Sequence, residues 1–246
     1  MTEAIIYLLI ITAVEVVTIF FNPLWGLIGH AAMLAAVIMH SARLEDKPRQ
    51  QLVLSLAIVP LIRVMDLSMP LIPVSAMWRF AIVYAPLLVA SIVLVRTLGY
   101  HRGEVGLTFR FAPFQLVVAL TGLFLGWLEY VILKPEVALI SQFTWSQVLM
   151  VGLILLASTG FVEEFAFRGV LQRGADELFG GWGIIYVSVI FALLHMGFRS
   201  WLDVLFVFGV ALFFGWVVKK TGSLLGVTLS HGITNVLLFL VLPFLL

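Results

Sequence analysis

Three short stretches of the chain place polar residues where an otherwise apolar sequence has no need of them. Phe161-Val-Glu-Glu-Phe-Ala-Phe-Arg-Gly169 holds Glu163, Glu164 and Arg168, Phe191-Ala-Leu-Leu-His195 ends in an imidazole, and His231-Gly-Ile-Thr-Asn235 joins an imidazole to a carboxamide. On a helix Glu164 and Arg168 stand at i and i+4 with the acid N-terminal, the favourable order for an ion pair. Glu163 points about 100° away around the helix, so Arg168 serves it poorly. It is left as a carboxylate in an apolar setting with a like charge next door, a group that gains by taking up a proton, as a general base must. His231 and Asn235 are also i and i+4 and share a face. A carboxylate and a neutral imidazole can hold and deprotonate a water, while a second imidazole and a carboxamide donate hydrogen bonds to a developing oxyanion. Glu163, His195 and His231 could instead hold Zn²⁺ with one position open. In both cases water attacks an amide. On the residues alone the roles of His195 and His231 are interchangeable.

The elements that must position these groups are membrane spans. The 246 residues are 63% hydrophobic and 11% charged, with no cysteine and a net charge of +1, and mean hydropathy is +1.17. Soluble domains carry about 25% charged residues, and no single soluble core hides this much apolar surface. A soluble enzyme, a disordered chain, a nucleic-acid binder and any disulfide or thiolate chemistry are excluded. Apolar runs fall near 4–21, 24–42, 51–69, 76–98, 113–133, 146–172, 183–198, 201–219 and 223–245. They are long and continuous, unlike the alternating segments of about ten residues in a barrel. The fold class expected is an all-α polytopic transmembrane helical bundle of about nine spans, or eight if the short runs 183–198 and 201–219 do not both cross. The first run lacks the basic start and cleavage site of a signal peptide and reads as a span.

Arg43, Lys47, Arg49, Arg96, Arg102, Arg110, Arg173, Lys219 and Lys220 fall on one side of this arrangement, and only Arg79, Lys134 and Arg199 on the other. Cytoplasmic loops hold the excess of Lys and Arg. That puts the N-terminus in the cytoplasm and, with nine spans, the C-terminus outside. It also places Glu163, His195 and His231 at similar depth in the cytoplasmic half.

The three motifs E-E-x-x-x-R, F-x-x-x-H and H-x-x-x-N, in order and on separate helices, resemble the CPBP family of intramembrane proteases (CAAX proteases and bacteriocin-processing enzymes, also called the Abi family). The resemblance covers residues from about 155 to 240 and includes the phrases Phe167-Arg-Gly-Val-Leu-Gln172 and Thr221-Gly-Ser-Leu224. It implies an intramembrane endopeptidase acting on a membrane-proximal peptide or lipidated protein. Glu163 would be the general base, His195 would help to activate the water, His231 and Asn235 would form the oxyanion hole, and Glu164 and Arg168 would support the site. A metal-free, glutamic design is implied, with no cofactor; Zn²⁺ on Glu163, His195 and His231 is the alternative. Residues 146–246 would be the catalytic spans and 1–145 N-terminal spans of unassigned role, together one membrane domain. The cavity is expected to open to the cytoplasmic side and laterally to lipid, and the loop-poor, cysteine-free chain suits a prokaryotic plasma membrane.

A charge at mid-span costs about 2.5–3.5 kcal/mol on insertion scales, so each one needs a partner or a purpose. Arg63 and Asp66, at i and i+3, are expected to neutralise one another, with Glu15 a candidate partner of Arg63. Glu129 is expected at an interface, His30 and His40 at interfaces or in packing, and Arg199 and Asp203 on a solvated rim. Two other classes stand beside the protease: a transporter or proton relay, for which no inverted repeat is visible, and a non-catalytic partner-binding or bacteriocin-immunity protein.

Overall fold

Helices begin where a side-chain oxygen can cap the free N–H groups of a first turn. In the computed structural model, which describes residues 2–135 and 138–246, α1 (Thr2–Phe20) gives way to α2 (Pro23–Ser41) at Asn22, whose Oδ1 accepts from Leu24 N at 2.8 Å ahead of Pro23. Asp46 caps α3 (Lys47–Ser55) by accepting from Arg49 N at 3.0 Å. The chain continues through α4 (Ile58–Ser68), α5 (Ala76–Leu98) and α6 (Ala112–Leu133) to α7 (Trp145–Leu155), which Thr144 caps. From there the helix widens into π segments at Leu156–Glu163 and Phe165–Leu171 before α8 (Gln172–Phe179). After a turn at Gly180–Trp182 come α9 (Gly183–Leu194), a 3₁₀ turn at His195–Phe198, α10 (Trp201–Thr221), α11 (Leu225–Val236), a third π segment at Leu237–Val241, and α12 (Leu242–Leu245). Among the described residues there is no strand.

Among the described residues eight helical stretches are long and apolar enough to cross a membrane. One of them, Trp145–Phe198, has 54 residues, about 80 Å if straight. It doubles back at Gly180–Trp182 and so contains two of the runs read from the sequence. Leu116, Leu120 and Phe124 on α6, like Leu9 on α1 and Ile28 on α2, point outward, as the lipid-facing surface of an integral membrane protein requires.

The basic loops meet at one end of the bundle. Arg173 reaches Glu104 at 3.0 Å, Lys219 reaches Asp176 at 2.9 Å, and Ser223 Oγ donates to the Thr108 carbonyl at 2.6 Å. At the far end Arg199 donates to the Ile19 carbonyl at 3.0 Å and Leu139 N to the Phe239 carbonyl at 3.0 Å.

Between these ends several polar groups are paired inside the bundle. Arg63 donates to both oxygens of Glu15, at 2.6 and 2.9 Å, and to Asp66 at 2.8 Å, tying α1 to α4. His30 is not interfacial: it is fully buried with Nε2 3.1 Å from Glu15 Oε1. His40 hydrogen-bonds Tyr7 at 2.8 Å. Glu129 is buried, not at an interface, because α6 turns it inward against α11. Asp203, expected on a solvated rim, is also buried, one turn inside the start of α10 that Ser200 caps. Helices α6 and α11 approach backbone to backbone at Gly122 and Gly126: a Cβ at either would meet the Ser230 or Thr234 carbonyl oxygen. Thr121 and Ser230 hydroxyls bond across the same seam at 2.9 Å.

Candidate active site

Glu163 and Glu164 lie at the junction of the two π segments on the helix that runs from Trp145. A π segment closes i to i+5 bonds, is rare, and occurs frequently at functional sites. Its neighbours there are α5, α9, α10 and α11, and these elements, with residues of α4 and α6, line a cavity of about 440 Å³. Cavities of about 300–1,000 Å³ hold small ligands, so this one admits a short length of extended chain.

The imidazole of His231, on α11, lies between the two carboxylates. Its Nδ1 is 2.8 Å from Glu164 Oε1, and its Nε2 is 3.9 Å from Glu163 Oε2. A carboxylate accepts only, so Nδ1 carries the hydrogen and Nε2 of the neutral ring presents a lone pair towards Glu163. Glu164 Oε1 also accepts from Arg168 NH1 at 3.0 Å, so Arg168 fixes Glu164 and Glu164 fixes the ring. The Arg168 guanidinium is itself held over the Phe191 ring, 4.2 Å from its centroid. All three of Glu163, Glu164 and Arg168 are buried, and the ion pair offsets the cost of two of these charges.

Asn235, one turn on from His231, lines the same cavity and donates through Nδ2 to Thr159 Oγ1 at 2.8 Å. His195 reaches the cavity from a different level. It is the cap residue of α9, at the far end of the bundle and not in the basic half, because the helix ends there in the 3₁₀ turn. Its Nδ1 donates to the Phe191 carbonyl at 2.9 Å, and among the described residues it makes no hydrogen bond to Glu163, His231 or Asn235. The Phe191 ring lies between the two imidazoles, with centroids 4.9 Å from His195 and 6.3 Å from His231.

Sequence reasoning missed Tyr84. This residue of α5, two positions before Pro86 within the same helix, donates from its hydroxyl to Glu163 Oε1. A lone tyrosine in an apolar run carries no signal of its own. It also missed that Glu129 lines the cavity.

Contrary to the expectation of a cytoplasmic opening, the cavity does not open towards the basic loops. Its exposed lining residues, Asp66, Ala76, Arg79 and Phe198, all belong to the far end. Towards the basic end it is stopped by the packed side chains of Phe165, Phe214, Val217 and Leu224. Among the described residues no three His, Cys, Asp or Glu side chains converge closely enough to hold a metal ion. Of the residues named for zinc, His231 Nε2 and Glu163 Oε2 are 3.9 Å apart, and His195 makes no hydrogen bond to either among the described residues.

Residues 144–237 match the family model described as Type II CAAX prenyl endopeptidase Rce1-like. That stretch contains all three motifs and bears out the CAAX-protease resemblance over its length. The match supports protease activity of the intramembrane type in general. Neither a curated protein nor a solved structure matches the chain.

Proposed function

We propose that this protein is an intramembrane endopeptidase that hydrolyses a membrane-proximal peptide bond, with Glu163 as general base. The observation that supports this most is the His231 ring between Glu163 and Glu164. The 3.9 Å gap between His231 Nε2 and Glu163 Oε2 is too long for a hydrogen bond, and one water can touch both atoms. Glu163 takes the water's proton as the oxygen adds to the substrate carbonyl carbon. The Glu164-backed imidazole accepts a hydrogen bond from the water's other hydrogen at Nε2 and so holds the same water for attack. The N–H of Asn235 not engaged by Thr159 meets the oxyanion. A preorganised donor of this kind is worth about 10²–10³ in kcat. His195, with Nδ1–H engaged, offers a bare Nε2 that accepts from the substrate backbone or relays the proton to the leaving amine. His231 thus takes the water-holding role first given to His195, and of the expected oxyanion pair Asn235 keeps the donor role.

The test compares wild type with Glu163→Gln, purified in detergent, on a quenched library of membrane-proximal peptides, each with and without a strong chelator. Wild type should cleave with chelator present, and Glu163→Gln should not cleave at all. Loss of wild-type cleavage on chelation would return zinc to the site. Equal behaviour of the two proteins would remove the peptidase reading in favour of a partner-binding or immunity role.

A further inference from the structure

The catalytic cavity and the basic loops occupy opposite ends of the bundle. The rim is formed by Asp66 at the end of α4, Ala76 and Arg79 at the start of α5, and Phe198 in the turn after α9. The loops that carry Arg102, Arg110, Arg173 and Lys219 are joined to one another at the other end. A smaller polar recess does exist there, about 250 Å³, among Glu104, Arg173, Asp176 and Lys219. Arg168 borders both spaces, and it is 3% exposed and bonded to Glu164. Opening the recess to Glu163 would therefore break the ion pair that orients His231. The far end needs no such rearrangement.

We propose that the substrate reaches Glu163 from the face opposite the basic loops, which by the charge bias of membrane proteins is the extracytoplasmic face. This rests on the peptidase reading above and specifies its substrate class. The substrate is a polypeptide whose scissile bond is presented from the outer side, not a protein lipidated on the cytoplasmic side. The segment that enters is apolar, because the walls below the rim are Phe80, Val83, Phe206 and Val210.

The chain has no cysteine, so single cysteines report sidedness without background. Ala76→Cys and Phe198→Cys mark the rim. Gly103→Cys marks the basic end, where an added Cβ meets nothing closer than 4.0 Å. Each is treated with a membrane-impermeant maleimide on intact cells, before and after permeabilisation. Both rim cysteines should label without permeabilisation, at least an order of magnitude more than Gly103→Cys, which should label only afterwards. The reverse pattern, or rim cysteines that label only after permeabilisation, overturns the proposal. Peptide cleavage by the Gly103→Cys protein in detergent is measured in parallel. Cleavage with the reversed labelling removes this inference alone. Labelling as expected with no cleavage removes the peptidase reading and leaves the sidedness of the opening in place.

Discussion

The Tyr84 hydroxyl donates to Glu163 Oε1 from a helix 79 positions earlier in the chain. It is a contact through which the first half of the molecule, to which no motif belongs, reaches Glu163. Hydrogen bonds to charged groups contribute about 1.5–3 kcal/mol. Tyr84→Phe should therefore lower kcat about tenfold or more with KM little changed, since the phenol faces Glu163 and not the substrate. Steady-state kinetics on one peptide decide this, and a change confined to KM would assign Tyr84 to substrate binding instead.

Glu164 holds two groups at once, Arg168 and His231. Glu164→Gln leaves the Arg168 guanidinium buried without its counter-ion, which typically costs 3–5 kcal/mol. Its melting temperature in detergent should fall, and cleavage should be lost. Adding Arg168→Met removes the stranded charge. The double variant should regain thermal stability and remain inactive, because the carboxamide that then accepts from Nδ1 carries no charge and leaves Nε2 a poorer acceptor. Recovery of activity in the double variant would show that Glu164 acts only through stability.

Gly122 and Gly126 let α6 lie against the carbonyl oxygens of Ser230 and Thr234, on the helix that carries His231 and Asn235. Small residues four apart are a common means of close helix packing in membranes. Overpacking costs about 1–3 kcal/mol, so Gly122→Ala and Gly126→Ala should each destabilise the fold. They should also reduce cleavage beyond what lost folding explains, by pushing α11 away from Glu163. Activity corrected for folded fraction is the measurement. Gly209→Ala, where a Cβ meets nothing, is the control.

What the sequence made legible was local. The Glu164–Arg168 pair could be read because its partners are one turn apart, and Glu15 could be matched to Arg63 because an embedded charge demands a partner. The demand does not say which one, so the Glu164–His231 bond, 67 positions apart, was out of reach. Glu129 and Asp203 were misread for the same reason: hydropathy places a residue along the membrane normal but not around the helix. His195 was placed too near the basic end although the 12 residues of α9, about 18 Å of helix, carry it past the middle of a span. The Gly122–Gly126 spacing was visible in the sequence, and its meaning came only with the identity of the facing helix.

One pH effect lies outside the membrane. The His101 backbone N–H, donating to Glu104 Oε2 at 2.8 Å, together with Arg173 holds the Glu104 carboxyl below its ordinary range. A depressed carboxyl stabilises the folded state above its unfolded pKa and ceases to do so as pH falls through the folded one. Protection of the loop between α5 and α6 from proteolysis should therefore hold from neutral pH into the ordinary carboxylate range and decline below it. Glu104→Gln should flatten that decline, and an unchanged profile would assign it to other groups.

The widened helix from Leu156 to Leu171 also sets a register. With each closing bond spanning one residue more than in an α-helix, the stretch holds a surplus that behaves like an inserted residue. Deleting Ala157 would let one turn close as an ordinary α turn and keep the face of α7, whereas an inserted residue that the π turns could not absorb would turn α7 by about 100° relative to Glu163. The lipid-facing side of α7 would then be turned into the bundle, with the Glu163–Glu164–Arg168 spacing untouched. The spacing of Glu163, Glu164 and Arg168 and the outward face of the preceding helix are thus indexed to one another through the widened turns.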